Sequence, residues 1–227
     1  MNDQTRLKDN SPYDTKLLVK QAAEVRARLA ADPTVYDFKN PNAELFAVGD
    51  FMSADECARM IALVDRVAKP SATFDTPYSA NYRTSYSGDV NSNDPFVRKI
   101  SRRIDDLLGI PSEFGEAIQG QRYLPGQEFQ AHCDFFYTDA PYWKHEKNRG
   151  GQRSWTAMVF LNEVEKGGHT HFPHLCMSME PKTGALLGWN NMNREGQPNT
   201  WTTHAATPVE AGIKYVITRW YRAKKWC

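Results

Sequence analysis

The spacing of the apolar residues changes about halfway along this chain of 227 residues, and that change constrains the fold more than any other feature. Before residue 116, apolar side chains recur every three or four residues in three segments, a pattern typical of amphipathic helices. From residue 116 onward the spacing is two, and clusters of Gly, Pro and Asn divide the apolar segments, which indicates strands. All the helical signals therefore lie in the first half of the chain.

Each of the three predicted helices begins at a residue suited to cap it. Asp14 precedes the first helix, and Ser53 with Glu56 forms a capping-box pattern at the start of the second. Asp94, followed by a proline, begins the third helix, and Gly109 ends it. The apolar stripe on each helix predicts that one face packs against the rest of the protein.

The strand signals fall in seven short segments. These are residues 116–124, 128–136, 154–162, 169–173, 184–189, 200–205 and 213–222. Several short strands with turns between them favour a sandwich or a jelly roll, with the N-terminal helices covering one of its sheets. We predict a mainly β fold with flanking α, in which residues 1–35 form an N-terminal helical extension and residues 36–227 form a single domain.

Charge and cysteine usage exclude several classes of protein. The 28 basic and 27 acidic residues are interspersed and give a net charge of +1, so no global field favours nucleic acid as a partner. No apolar run approaches the length of a membrane span, and the polar N-terminus lacks the apolar core of a signal peptide. The four cysteines, Cys57, Cys133, Cys176 and Cys227, show no C-x-x-C spacing, which favours reduced thiols. We therefore expect a cytoplasmic protein with neither a nucleic-acid nor a membrane partner.

His132 and Asp134 lie two residues apart on a predicted strand, so both side chains face the same side while Cys133 points away. Together with His204 they would supply two imidazoles and one carboxylate, a facial triad whose open positions suit non-haem Fe(II) better than structural zinc. The H-x-D triplet alone would occur by chance roughly 0.4 times in a chain of this composition. A hydrogen-bonded histidine beside a strand aspartate is the alternative interpretation.

The polar segment 137–151 (YTDAPYWKHEKNRGG) follows the H-x-D triplet directly and is rich in turn-forming residues. This composition predicts a mobile loop at the mouth of the site. A passive solvated hairpin loop is the alternative.

The sequence around these residues resembles the prolyl 4-hydroxylase-like 2-oxoglutarate oxygenases. The segment YLPGQEFQAHCD, from Tyr123 to Asp134, is similar to the family's Y-x-x-G-x-x-Y-x-x-H-x-D signature. The resemblance continues through NRGGQR, which ends at Arg153, and GGHTHFP at 167–173, and then through the pattern that joins His204, Lys214 and Trp220. Upstream, Arg83-Thr-Ser85 is similar to the family's R-x-S substrate element. The match thus extends in order from residue 83 to residue 222.

This resemblance implies a double-stranded β-helix with flanking helices. It assigns iron to His132, Asp134 and His204, and the distal carboxylate of 2-oxoglutarate to Lys214. It also assigns hydrogen bonds to 2-oxoglutarate to the hydroxyl groups of Tyr123 and Thr170, and it implies O2 as co-substrate and ascorbate as a supporting reductant.

The position of Lys214 agrees with this assignment. Lys214 follows His204 by ten residues across a Pro-Val…Gly turn, so we expect the two on adjacent strands facing one lumen. A buried ammonium needs an anion, and a dicarboxylate supplies one. The alternatives are a core histidine at 204 and a surface cation at 214.

For the substrate, the resemblance implies a proline-containing peptide or protein, hydroxylated at the 4-position of proline, with succinate and CO2 as co-products. The implied substrate-binding residues are Arg83, Ser85, Phe129, Arg153 and Trp220. Phe129 stands where the family has its second tyrosine, so the chemistry transfers to this chain more firmly than the proline specificity does.

Two other functions stay open at this point. One is an oxygenase acting on a free amino acid or another small molecule, and the other is a cupin-like metal-binding jelly roll without 2-oxoglutarate. Lys214 argues against the cupin, which has no need of a cation at that position.

The oligomeric state also stays open, a homodimer included. His169, His171 and His174 suggest a second metal site, because residues 169 and 171 share a strand face. The resemblance, which turns Thr170 inward, implies instead that these histidines point away from the iron.

Overall fold

The computed structural model describes residues 13–71 and 82–226. Within these residues, helices cover one face of a large antiparallel sheet and a smaller sheet lies against its other face, which is a jelly-roll arrangement. The helices are α1 (Thr15–Ala31), α2 (Ala54–Val67), α3 (Pro95–Leu108) and α4 (Trp143–Asn148). The architecture confirms the mainly β fold with supporting N-terminal helices.

The first three helices begin where the sequence predicts, with one difference in capping. The Ser53 hydroxyl accepts the N–H of Glu56 and the Glu56 carboxylate accepts the N–H of Ser53, which completes the capping box of α2. Asp94 caps α3 through two backbone N–H groups. Asp14 occupies the N-cap position of α1, but its carboxylate pairs with Lys224 at 2.8 Å and makes no cap. The predicted side-chain cap of α1 was therefore wrong.

The prediction that all helices lie in the first half was wrong for α4, which forms inside the segment 137–151. This helix has only six residues, and two of them, Trp143 and Glu146, are buried. Such a short helix has no apolar period to read in the sequence. Its contacts with distant parts of the chain stabilise it instead.

The strands and their bounds are as follows. They are β1 (Val35–Asp37), β2 (Leu45–Val48), β3 (Lys69–Pro70), β4 (Tyr86–Asp89), β5 (Gln119–Tyr123), β6 (Phe129–His132), β7 (Arg153–Phe160), β8 (Lys166–Gly167), β9 (Thr170–Phe172), β10 (Met177–Met179), β11 (Leu186–Asn190), β12 (His204–Ala206), β13 (Val209–Ala211) and β14 (Lys214–Arg222). The large sheet has the order β1-β2-β11-β7-β14-β5-β4-β3, and the small sheet has the order β10-β9-β12-β6. Strands β8 and β13 pair with each other.

Strands β1 to β4 lie in the half of the chain where only helices were predicted. β2 pairs with β11 and β4 pairs with β5, so these strands extend the large sheet. Each has between two and four residues, too few to establish a period of two. The predicted strand at 200–205 is also shorter, because a 3-10 turn at Thr200–Thr202 precedes β12.

Strand β7 divides the apolar core into two layers. Trp155, Ala157 and Val159 face the layer formed with α1, α2 and α3. Met158 and Phe160 point to the opposite side, into the lumen between the two sheets. This period of two places the lumen, and everything that lines it, on the side of the large sheet away from the helices.

Helix α1 shares the core of the helices that follow it. Its residues Ala22, Val25 and Leu29 pack in the same apolar cluster as the buried faces of α2 and α3. The division of the chain at residue 35 stays a prediction.

Within the described residues, no helix combines the length and apolarity that crossing a membrane requires. Cys57, Cys133 and Cys176 are free thiols, with Cys57 buried and Cys176 exposed. Cys227 lies outside the described residues.

Candidate active site

The structure brings His132, Asp134 and His204 together at one end of the lumen. His132 ends β6 and His204 begins β12, and the two residues are direct partners in the antiparallel ladder. Asp134 lies two residues beyond the end of β6, so the prediction that both H-x-D residues sit on the strand was wrong in this detail. The ligand atoms of the three residues nevertheless all lie within 4.8 Å of one another.

Backbone carbonyls fix the orientation of both imidazoles. Nδ1 of His132 lies 2.8 Å from the carbonyl oxygen of Gln130, and Nδ1 of His204 lies 2.9 Å from that of Thr202. A carbonyl oxygen only accepts, so Nδ1 carries the proton in each ring and Nε2 keeps its lone pair. These Nε2 atoms lie 3.9 Å and 3.8 Å from the two carboxylate oxygens of Asp134, so the lone pairs and the carboxylate are brought together. Such carbonyl contacts orient metal-binding histidines in proteins generally.

The charge states of these groups also suit a metal ion. Burial, reinforced by the neighbouring His204, lowers the pKa of His132 to about 3, so its ring is neutral at physiological pH. Burial opposes ionisation of Asp134, but attraction to His204 and His132 outweighs it and holds the pKa of the carboxyl below its ordinary value. Two imidazoles and one carboxylate fit the facial triad of non-haem Fe(II).

Lys214 lies deeper in the same lumen, beside a small inner cavity of about 40 Å³ that His204 also lines. Its side chain is 1% exposed, and its ammonium has a long contact of 3.5 Å with the Thr170 hydroxyl. No carboxylate in the described residues forms an ion pair with it, and burial alone lowers its pKa to about 7. A buried cation without a counter-ion fits the distal carboxylate of a dicarboxylic acid.

The sequence predicted that His204 and Lys214 lie on adjacent strands, and this was wrong. His204 belongs to β12 of the small sheet, and Lys214 belongs to β14, which pairs with β5 and β7 in the large sheet. The two residues meet because their sheets face each other across the lumen. The turn between them is a crossing from one sheet to the other rather than a hairpin.

Tyr123 also lines the inner cavity. Its ring centre lies 5.4 Å from the Lys214 ammonium, and its hydroxyl donates to the side-chain oxygen of Gln121 at 2.7 Å. Gln121 in turn donates to the Thr218 hydroxyl at 3.2 Å. The sequence predicted Tyr123 and Thr170 in this region but neither Gln121 nor Thr218.

A larger outer cavity of about 390 Å³ opens from the triad toward the surface. Arg83, Phe129, Arg153 and Trp220 all line it, as the sequence predicts for a substrate groove. The Arg153 guanidinium lies 4.1 Å from the centre of the Trp220 ring, and Phe129 stacks on His132 with ring centres 3.6 Å apart. The groove thus joins aromatic faces to cations immediately beside the triad.

Ser85 is the exception among the predicted substrate residues. It is 1% exposed and lines neither cavity. Its hydroxyl accepts a hydrogen bond from Nε of Arg83 at 3.2 Å, so Ser85 orients the arginine from outside the cavity.

Arg153 reaches the groove through a bulge in β7. Tyr221 pairs with Trp155, but Arg222 pairs with Arg153, so Ser154 is an extra residue on β7 at this point. The extra residue brings Arg153 opposite Arg222, and both line the outer cavity. A strict period of two would have turned Arg153 to the other face of the sheet.

A buried chain of charges lies along the wall of the outer cavity. Glu116 accepts from Arg153 at 2.6 Å and 2.7 Å and also accepts from Arg222 at 2.5 Å. Arg222 donates to Glu146 of α4 at 2.6 Å. The charges of the two glutamates therefore neutralise those of the two arginines. The ion pair between Arg222 and Glu146 connects the segment 137–151 to β14.

Sequence reasoning missed Glu116, Glu146 and Arg222. A signal existed for Arg222, because it stands at an even offset from Lys214 on the same strand. No local pattern marks Glu116 or Glu146, since their partners are distant in the chain.

His169, His171 and His174 do not gather into a metal site. Nδ1 of His169 contacts the Ser178 hydroxyl on the outside of the small sheet, whereas Thr170 is buried toward Lys214. In the described part of the chain, the triad is the single group of three or more His, Cys, Asp or Glu residues placed to hold a metal.

Residues 118–222 match the 2OG-Fe(II) oxygenase superfamily. The matched segment, which contains the triad and Lys214, is a 2OG-Fe(II) oxygenase domain. A 2OG-Fe(II) oxygenase uses iron and 2-oxoglutarate, and the triad and Lys214 are the groups in this chain that fit them.

Several curated relatives of this chain are prolyl 4-hydroxylases. It is 31% identical over 184 residues to the prolyl 4-hydroxylase subunit alpha-2 of Gallus gallus and 33% identical over 169 residues to the alpha-1 subunit of Homo sapiens. These alignments cover 77% and 70% of this chain but only 33% and 32% of the two animal subunits. A relative from Acanthamoeba polyphaga mimivirus is 33% identical over 146 residues, 64% of this chain and 60% of the viral protein. The chain thus spans less than two thirds of the length of these relatives.

Two solved structures share the fold. The viral collagen prolyl hydroxylase of Paramecium Bursaria Chlorella virus-1, in its 2OG complex, has a TM-score of 0.62 and 26% identity, covering 80% of this chain and 96% of that one. A Trichoplax adhaerens prolyl hydroxylase in complex with a hypoxia inducible factor peptide has a TM-score of 0.59 at 16% identity, covering 92% of each chain. The second likeness extends to the fold alone.

Proposed function

We propose that this oxygenase is an Fe(II)- and 2-oxoglutarate-dependent dioxygenase that hydroxylates a prolyl residue, at its 4-position, in a peptide or protein. The observation that carries the proposal is one lumen holding both the His132, Asp134 and His204 triad and the buried Lys214 without a counter-ion. A triad alone would serve many metal proteins. The unpaired cation is what selects a dicarboxylate co-substrate.

Bound iron and 2-oxoglutarate supply the oxidative chemistry, with succinate and CO2 as co-products. His132, Asp134 and His204 hold the metal on one side. Lys214 and the Thr170 hydroxyl bind the distal carboxylate, and Tyr123 adds its ring and hydroxyl to the same wall. The burial of Lys214 and Tyr123 keeps water from this end of the lumen.

The substrate binds in the outer cavity. Trp220 offers an aromatic face to a proline ring, and Phe129 lines the same cavity beside the triad. Arg83 and Arg153 direct N–H groups toward peptide carbonyls. Ser85 positions Arg83 rather than touching the substrate. Several of the relatives and solved structures similar to this chain are prolyl hydroxylases, and this supports proline as the target.

Four further expectations belong to this proposal. Ascorbate is proposed as the reductant that sustains turnover, and the free thiols at Cys57, Cys133 and Cys176 favour a cytoplasmic location. A homodimer is proposed as one form of the protein in solution, and residues 1–35 are proposed as an extension to the catalytic domain 36–227.

The test is coupled turnover. The Fe(II)-loaded protein is incubated with O2, 2-oxoglutarate and a library of proline-containing peptides, and succinate and the mass of each peptide are measured. We expect succinate together with a gain of one oxygen on a peptide, with the 4-position established by NMR. Absence of succinate with every candidate would overturn the oxygenase, whereas oxidation of free amino acids but of no peptide would favour the small-molecule alternative.

A further inference from the structure

Asp134 is held by a residue that the triad itself does not include. The hydroxyl of Thr156 donates to Oδ2 of Asp134 at 2.7 Å. Thr156 is fully buried and Asp134 is 6% exposed, so water does not compete for this hydrogen bond. Thr156 belongs to β7 of the large sheet, and Asp134 follows β6 of the small sheet, so the contact crosses the lumen.

A third residue fixes the direction of that hydroxyl. The side-chain N–H of Asn191 donates to Oγ1 of Thr156 at 2.9 Å. A threonine has a single hydroxyl proton, and an ionised carboxylate can only accept. Because Asn191 supplies a donor to the oxygen, the Thr156 proton points to Asp134.

Asn191 is itself rigidly placed. Its backbone N–H donates to the carbonyl of Ser154 at 2.7 Å, and its own carbonyl accepts from Asn199 at 3.0 Å. The side chain is fully buried. The orientation of the Asp134 carboxylate therefore rests on a preformed pair, Thr156 of β7 and Asn191, which directly follows β11.

We propose that Thr156, oriented by Asn191, is a positioning residue that makes Asp134 bind the metal through one oxygen only. This inference rests on the proposed function, since it concerns the same metal site. A carboxylate that turns to bind through both oxygens occupies one more coordination position. The hydrogen bond on Oδ2 opposes that rotation and so keeps positions free for 2-oxoglutarate and O2.

A purely structural role for Thr156 predicts something different. A buried hydroxyl that merely satisfies its neighbours would change stability when removed, without changing how the metal is held. Metal affinity and coordination number are therefore the measurements that separate the two roles. Partners of metal-binding carboxylates typically alter metal affinity by about 10- to 100-fold when lost.

The experiment compares Thr156→Val, Thr156→Ser and Ser154→Ala. Valine removes the hydroxyl at nearly constant volume, serine restores it, and Ser154 is a matched control because its buried hydroxyl contacts the Tyr221 carbonyl rather than Asp134. Binding of Co(II) and of anaerobic Fe(II) is followed by tryptophan fluorescence, since the Trp189 ring lies 4.7 Å from the His204 ring. The visible spectrum of the Co(II) protein reports the coordination number.

We expect Thr156→Val to weaken metal binding roughly tenfold and to change the visible spectrum of the Co(II) protein, because the second oxygen of Asp134 then takes a coordination position. The serine and Ser154 variants should match the wild type. We also expect weaker 2-oxoglutarate binding to the metal-loaded valine variant. Unchanged metal affinity and an unchanged Co(II) spectrum in Thr156→Val would overturn the inference.

Two further outcomes have defined meanings. If Thr156→Val does not fold, Asn191→Ala tests the same arrangement, because it frees the hydroxyl to rotate; a wild-type Co(II) spectrum and affinity there would also overturn the inference. Failure of the wild-type protein to bind Fe(II) or Co(II) would instead overturn the proposed function.

Discussion

The inner and outer cavities both contain buried cationic side chains, but they differ in whether a carboxylate pairs with those cations. In the inner cavity, the Lys214 ammonium is buried with no carboxylate paired to it. In the outer cavity, Arg153 and Arg222 are already paired with Glu116 and Glu146. The inner cavity therefore needs an anion from outside, whereas Arg153 and Arg222 of the outer cavity do not.

This difference teaches how each cavity selects its ligand. The cost of an unpaired buried charge makes the inner cavity specific for a molecule that carries a negative group. The balanced arginines of the outer cavity contribute geometry and aromatic stacking instead of net charge. Changes in the two cavities should accordingly affect different measurements.

The largest expected effect comes from Asp134→Ala. This change removes the carboxylate of the triad, so we expect loss of metal binding and no measurable succinate. Metal content and succinate formation are the measurements, with the exposed Asp139→Ala as the control. Turnover that survives in Asp134→Ala would contradict the assignment of the triad.

Lys214→Met should affect the inner cavity alone. Methionine keeps the length of the side chain but removes its charge. We therefore expect 2-oxoglutarate to bind about 100-fold more weakly, with little change in the KM for peptide. Calorimetry and steady-state kinetics measure the two effects, with Lys166→Met at the surface as the control. Equal loss in both parameters would show that the cavities are not independent.

The pH dependence of 2-oxoglutarate binding should show the same division. The pKa of Lys214 is about 7 in the free protein, and a bound carboxylate favours the protonated form. Below pH 7 the cation is present and affinity is constant; above pH 7 binding must take up a proton, so the Kd rises about tenfold per pH unit. Calorimetry at pH 8 in two buffers of different ionisation enthalpy should detect that proton, and Lys214→Met should lack it.

The smallest effect is expected in the outer cavity, from Glu146→Gln. Glu146 accepts from Arg222 at 2.6 Å and anchors α4, so its neutralisation should lower the free energy of unfolding by about 1–3 kcal/mol. We expect the KM for peptide to rise a few-fold while the affinity for 2-oxoglutarate stays unchanged. Thermal melting and kinetics measure this, against the exposed Glu163→Gln. A change in 2-oxoglutarate affinity would break the contrast between the cavities.

Local pattern predicted the elements whose signals lie within a few residues. The capping box at Ser53 and the proline after Asp94 place α2 and α3 correctly, and the apolar period of two places β7 and β14. The triad residues were also predicted. The side chains of His132 and Asp134 still meet at one site, even though β6 ends at His132.

Long-range contacts produced what the sequence did not predict. Asp14 pairs with Lys224 instead of capping its own helix, and Glu146 of α4 is buried against Arg222. Thr156 donates to Asp134, which lies 22 residues away in the sequence. His204 and Lys214 line one lumen, as the sequence predicts, but they do so from two facing sheets rather than from adjacent strands, and that depends on how the sheets pack. None of these pairings has a period or spacing that a single sequence could reveal.

The extra residue at Ser154 has a consequence for how such an enzyme can change its target. It separates β7 into a part whose alternation the core dictates and an end that presents Arg153 to the groove. Thr156, Met158 and Phe160 lie on the far side of this discontinuity, where they hold Asp134 and fill the lumen. We therefore expect substitutions at position 153 to change substrate selectivity while the metal-holding part of the strand keeps its register. An engineer seeking altered selectivity would begin there.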